Sequence, residues 1–177
     1  LLNKSLELNE GMEKSMKEVK RLSIADTYMS LAQIYYTSGN YNKAKGYVEK
    51  SVKIYEKVSS EYVGPIEAYL LLGKICLENQ EISHGLKLIN KSRDIAQKNN
   101  INAARQYLAI SKSYLLKAEY EDALKNAMKS LEYAEMSKII SQIIWMNIKV
   151  GDIYEKIGDV KKAYEYYYKA KDIREQS

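Results

Sequence analysis

Apolar and small residues recur along this chain at helical spacing, in sets that face each other across short polar turns. Between Tyr28 and Ser51, the set Tyr28, Leu31, Ala32 and Tyr35 precedes Gly39-Asn40-Tyr41, and Ala44, Val48 and Ser51 follow it. Steps of three and four residues put each set on one helix face. Gly39 supplies the left-handed residue that ends a helix, and Asn40 supplies a cap for the next. The stretch reads as a helical hairpin. A second copy carries Tyr69, Leu72, Gly73, Cys76, Gly85, Ile89 and Ser92 at the matching places, and a third carries Tyr107, Ile110, Ser111, Tyr114, Ala123, Ala127 and Ser130. A fourth carries Asn147, Val150, Gly151, Tyr154, Ala163, Tyr167 and Ala170. A lysine recurs at Lys4, Lys50, Lys91, Lys129 and Lys169, in steps of 46, 41, 38 and 40 residues, so the period is near 40.

The predicted helices run from 23 to 38 and 41 to 59, 65 to 79 and 82 to 98, 102 to 117 and 120 to 136, and 138 to 157 and 160 to 175. They group into repeats at 23–60, 65–99, 102–137 and 138–176. Pro65 suits a first helical position, where its missing amide hydrogen costs nothing. Residues 1–20, with Leu1, Leu2, Leu8, Met12, Met16 and Val19 in a stripe, read as the second helix of a truncated repeat. The whole reads as one all-α domain of stacked antiparallel helix pairs, a fragment of a longer protein. Small residues at Ala32, Gly73, Ser111 and Gly151 on first helices, and at Ala44, Gly85, Ala123 and Ala163 on second helices, let paired helices approach closely.

Composition agrees with this picture and narrows it. The 177 residues are 46% hydrophobic and 29% charged, with one proline and eight glycines, which suits a folded helical domain. Phenylalanine is absent and tyrosine occurs 17 times, so many seams carry a hydroxyl that must reach water or a partner. The net charge of +5 is spread over every segment, and no dense basic cluster argues for nucleic acid. No run has the length of a membrane helix. Cys76 is the sole cysteine, which excludes an internal disulfide and fits a reducing, cytoplasmic setting. His84 is the sole histidine, with no expected partner for a metal, and Cys76 falls at a seam position. No phosphate loop, serine elbow or zinc-protease motif is present, so the chain reads as no enzyme, with no cofactor.

The aligned hairpins resemble the tetratricopeptide repeat, which places a large residue, then Leu with Gly or Ala, then Tyr on the first helix, and Ala, an aromatic and Ala on the second. The resemblance covers nearly the whole chain and implies a right-handed superhelical solenoid. The period exceeds the ~34 residues usual for that repeat. The long, Tyr-rich unit resembles regulatory regions of bacterial signalling proteins, including peptide-sensing regulators of the Rap and PlcR kind and sensor regions ahead of kinase or cyclase domains. The resemblance therefore implies a peptide- or protein-binding module acting as the sensory part of a larger bacterial signalling protein or transcription regulator. An output domain is expected in the full-length protein, and a homodimer stays open. The alternative is a scaffold for multiprotein assembly without ligand sensing.

By the family's geometry the first helices line a concave face. The peptide-binding residues implied there are Met29, Gln33 and Tyr36 in the first repeat, Leu70 and Lys74 in the second, Arg105, Leu108 and Lys112 in the third, and Ile148 and Asp152 in the fourth; Asp26, Glu67, Leu77, Leu115, Trp145 and Glu155 share the same implied faces. Met29, Leu70, Leu108 and Ile148 are expected to form an apolar row, or else to pack as core between repeats. Lys74 and Lys112, at matching places on adjacent repeats, suit a carboxylate, with Arg105 nearby. The chaperone-tail-binding members use lysine and asparagine where Met29 and Gln33 stand here, so a chaperone C-terminus is not expected. Trp145, the single tryptophan, is expected to pack against the third repeat, the alternative being an aromatic that contacts a ligand. Of Tyr166, Tyr167 and Tyr168, which lie on three faces of one helix, at least one is expected to be exposed.

Overall fold

The computed structural model describes residues 2–58 and 63–177, with side chains described from Met12 onward. The predicted apolar positions Leu1, Leu2 and Leu8, and the predicted helix end at Ser59, lie outside those side chains and residues. Among the described residues there are eight helices: α1 (Leu2–Thr37), α2 (Tyr41–Tyr55), α3 (Gly64–Glu78), α4 (Ile82–Lys98), α5 (Ala104–Leu116), α6 (Tyr120–Ser137), α7 (Ile140–Ile157) and α8 (Val160–Gln176). They pack as consecutive antiparallel pairs, and the second helix of each pair carries the first helix of the next. The result is a solenoid whose core is handed from pair to pair.

Each hairpin turns through one left-handed residue: Gly39 (φ 77°), Gln80 (φ 63°), Ala118 (φ 59°) and Gly158 (φ 89°). After the two glycines, Asn40 accepts a hydrogen bond from the Lys43 amide at 3.2 Å and Asp159 accepts one from the Lys162 amide at 3.1 Å. Glu81 and Glu119, at the same places in the middle hairpins, make no side-chain cap. The middle turns thus keep the backbone path with less suitable residues.

The first helix departs from expectation. In place of a break near residues 20–23, α1 is continuous for 36 residues. Lys20-Arg21-Leu22-Ser23 contains neither glycine nor proline to end it. The hydroxyls downstream are turned back into the helix, Thr27 to the Ser23 carbonyl at 2.8 Å and Ser30 to the Asp26 carbonyl at 3.0 Å. Met12, Met16 and Val19 consequently stand exposed on its N-terminal half.

Within the hairpins the small residues act as their spacing predicts. Ala32 and Ala44 are fully buried, and the Ser111 hydroxyl donates to the Ala123 carbonyl at 2.7 Å. Three seams share a further tie: Ser51 donates to the Ala25 carbonyl at 3.0 Å, Ser92 to Ile66 at 2.7 Å and Ser130 to Ala104 at 2.8 Å. The donor lies 26 residues beyond its acceptor in each. Ala170 holds the matching place in α8 and has no hydroxyl to offer.

The first helices do not stack evenly. α1 packs against α3 and α3 against α5, whereas α5 and α7 make no close backbone contact. The fourth pair is held instead by α6 against α7, through Ala127, Leu131, Ala134, Met146, Val150 and Ile153. An opening is left between α5 and α7 on the first-helix face.

Candidate functional site

That opening is a cavity of about 410 Å³ with side chains from α1, α3, α5 and α7 around it. Leu77, Leu108, Leu115, Trp145 and Ile153 give it apolar walls. Lys74, Arg105, Lys112, Lys149 and Lys156 surround them, and Asp152 is the one acid on its wall. The cations come from α3, α5 and α7 because one face of each first helix points inward, and two-turn spacing repeats the pattern along it.

Most of these cations are already engaged. Arg105 meets the Glu67 carboxylate at 2.7 Å, Lys112 meets Glu78 at 2.6 Å and Lys149 meets Asp152 at 2.8 Å. Lys149 also lies 5.7 Å from the centre of the Trp145 ring. Lys74 is different. Half-buried on α3, it has no hydrogen bond or ion pair among the described residues, and Glu67 acts on it only at longer range. Burial holds its ammonium below the ordinary lysine value, and Arg105 and Lys112 push the same way while Glu67 opposes. Across the cavity, burial raises the Tyr36 hydroxyl above the ordinary tyrosine value, and the Glu78 carboxylate beside it adds to the rise.

The ten residues implied by the resemblance separate into two groups. Tyr36, Lys74, Arg105, Leu108, Lys112 and Asp152 come together around this cavity. Met29 packs partly buried against the core of the first two hairpins, Gln33 is exposed apart from the cavity, and Ile148 is partly buried. Leu70 is 1% exposed and belongs to the core with Ile89 and Ile110, so the alternative expectation of packing between repeats holds there and no continuous apolar row runs along the groove. Leu77 and Leu115, two turns further along α3 and α5 and on the faces the resemblance implied, line the cavity with Leu108. Trp145 also differs from its expected packing role. It is 46% exposed and lines the opening, because α7 stands away from α5. Lys149, Ile153 and Lys156 were missed, and only the i+4, i+8 and i+11 spacing from Trp145 could have pointed to them.

A second cluster sits at the α3–α4 turn. Cys76, Glu81 and His84 bring their ligand atoms within 4.8 Å of one another, which corrects the expectation that His84 has no partner. Eight positions across a hairpin turn are a short distance in space. Its carboxylate is already engaged from outside the cluster: Lys45 Nζ donates to the two Glu81 oxygens at 2.9 and 3.0 Å. Burial, with Glu81 adding, pushes the Cys76 thiol up to about 11, so it keeps its proton at neutral pH.

Paired helices stacked around a concave face define a helical-repeat solenoid. Two segments of the chain, residues 24–61 and 146–177, each match a family model described as tetratricopeptide repeat. Superkiller protein 3 of Schizosaccharomyces pombe is 37% identical over 57 residues, which is 32% of this chain and 4% of that protein. Aspartyl phosphate phosphatase F from Bacillus subtilis has a similar fold, with a TM-score of 0.82 at 18% identity over 88% of this chain and 41% of its own. The apo form of RapI gives a TM-score of 0.79 at 20% identity, over 88% of this chain and 57% of its own. MamA gives 0.66 at 20% identity, over 86% and 79%. The chain thus spans about half the length of the two first-named structures. Among the described residues no helix is long and apolar enough to cross a membrane.

Proposed function

We propose that this chain is a peptide- or protein-binding repeat module whose contact face is the opening between α5 and α7, and that it serves as the sensory part of a larger bacterial signalling protein. The observation that carries the reading is the convergence of Lys74, Arg105 and Lys112, from adjacent first helices, on one apolar-walled cavity of about 410 Å³. An apolar floor with few charges suits an anchoring side chain and fixes its orientation. The signalling setting draws support from the long repeat and from the fold shared with aspartyl phosphate phosphatase F and RapI.

A displayed random-peptide library panned against the folded chain, followed by thermal-shift measurement of the selected peptides, tests the reading. Selected peptides are expected to raise the unfolding temperature of the wild type and to lose that effect with Lys74→Glu/Lys112→Glu. Peptides indifferent to the double change would place the contact elsewhere. No selected peptide at all would favour the scaffold reading.

A further inference from the structure

We infer that the cavity between α5 and α7 is a site for a small amphipathic organic acid, a free carboxylate on an aliphatic or aromatic body, with the carboxylate on Lys74. The inference rests on the reading above that this cavity is the binding face, and it names an occupant for the deepest part of it.

The charge pattern selects the sign. Arg105, Lys112 and Lys149 each hold a carboxylate of the protein within 2.8 Å, while Lys74 holds none and lies between Arg105 and Lys112 in the field of both. A cation taken partly out of water without a counter-charge is costly, and an incoming anion removes that cost. Lys156, the other cation on the wall, also has no ion-pair partner among the described residues, so the site carries more positive than negative charge. The walls select the rest of the ligand. Leu77, Leu108, Leu115, Ile153 and the half-exposed Trp145 ring offer apolar contact, and burial of apolar area drives entry of a hydrocarbon body. Shape selects a small molecule over an extended chain. The volume lies in the range of small-ligand clefts, about 300–1,000 Å³. The apolar surface also does not continue along the first helices, because Leu70 is core and Met29 is packed against the first hairpins.

Trp145 is the only tryptophan in the chain and lines the cavity, so it is a built-in reporter. The experiment titrates the folded chain with octanoate and, as a neutral body of the same length, octanamide, following tryptophan fluorescence, with calorimetry on Trp145→Phe as a check. Octanoate should give a saturable change and bind at least about tenfold more tightly than octanamide, the scale of one charge-assisted contact. Lys74→Met should abolish that preference while leaving octanamide binding in place. If Lys74→Met fails to fold, Lys112→Met and Arg105→Gln are measured instead and should each narrow the preference. Equal binding of acid and amide, a preference that survives the substitutions, or no saturable change overturns the inference. Selected peptides that bind while octanoate does not would overturn this inference alone, and octanoate binding without any selected peptide would leave it standing while the peptide reading falls.

Discussion

The second and fourth hairpins close the same seam with different atoms. Between α3 and α4 the two backbones touch: a Cβ on Gly85 would lie 2.8 Å from the Gly73 carbonyl oxygen, and one on Gly73 would lie 2.9 Å from the Gly85 oxygen. Between α7 and α8 the atoms nearest to a Cβ on Gly151 would be those of the Tyr167 ring, the first at 2.6 Å. The second hairpin also has the buried Ser92 tie, whereas the fourth has Ala170 there and uses the Tyr167 hydroxyl, 3.1 Å from both Asp152 and Glu155. Burial, then those two carboxylates, raises this phenol far above the ordinary tyrosine value. One seam is fixed by main chain that cannot yield; the other rests on a side chain that can turn.

The comparison breaks most sharply at Gly85. Gly85→Ala forces two backbones apart and should cost about 3 kcal/mol, the upper end for overpacking, read as a shift in the urea midpoint. Ser92→Ala should cost about 2 kcal/mol, because it removes the donor to Ile66 and the acceptor for the buried Gln106 amide, whose own Oε1 already lacks a partner. Gly151→Ala should cost only about 1 kcal/mol, since Tyr167 can swing out. If Gly151→Ala proved as costly as Gly85→Ala, the fourth seam would be as rigid as the second. Smaller still, Ala118→Gly should stabilise by about 0.5–1 kcal/mol by relieving a left-handed alanine.

A pH effect separates the second hairpin further. Tyr69 donates to the Glu56 carboxylate, and Lys91 lies 3.3 Å from it, so the tyrosine first and the lysine second hold Glu56 below the ordinary carboxylate value. The unfolded chain therefore binds this proton more readily. The stability from Glu56 is present above its unfolded value and is lost as pH falls through the lower folded one. Tyr69→Phe should flatten the acid side of the stability curve, measured by thermal unfolding below neutral pH, and the effect should be small because the pair is half exposed.

Much of this was legible in the sequence. Periodicity placed seven of the eight helices to within a few residues, because small seam residues and turn residues both repeat. The break before residue 23 was misjudged: the boundary was inferred from where the repeat begins, and no local residue ends a helix there. For the cavity, the family resemblance implied which helix faces point inward, and Lys74, Arg105 and Lys112 followed from it. Spacing cannot say how far apart neighbouring helices stand. Leu70, left between groove and core, is thus core, and Trp145, expected in a seam with ligand contact as the alternative, borders an opening. The Cys76–Glu81–His84 cluster escaped for a related reason: separation along the chain says little about distance across a tight turn.

The joint between the third and fourth pairs is closed by α6 against α7 and open between α5 and α7. In mechanical terms it is a hinge clasped along one edge. A guest seated between α5 and α7 works at the free edge, where a small wedge or brace has its greatest leverage over the curvature of the whole coil. A molecule that filled the cavity of about 410 Å³ would press on that free edge, and the expected consequence is a changed angle between the last helix pair and the rest.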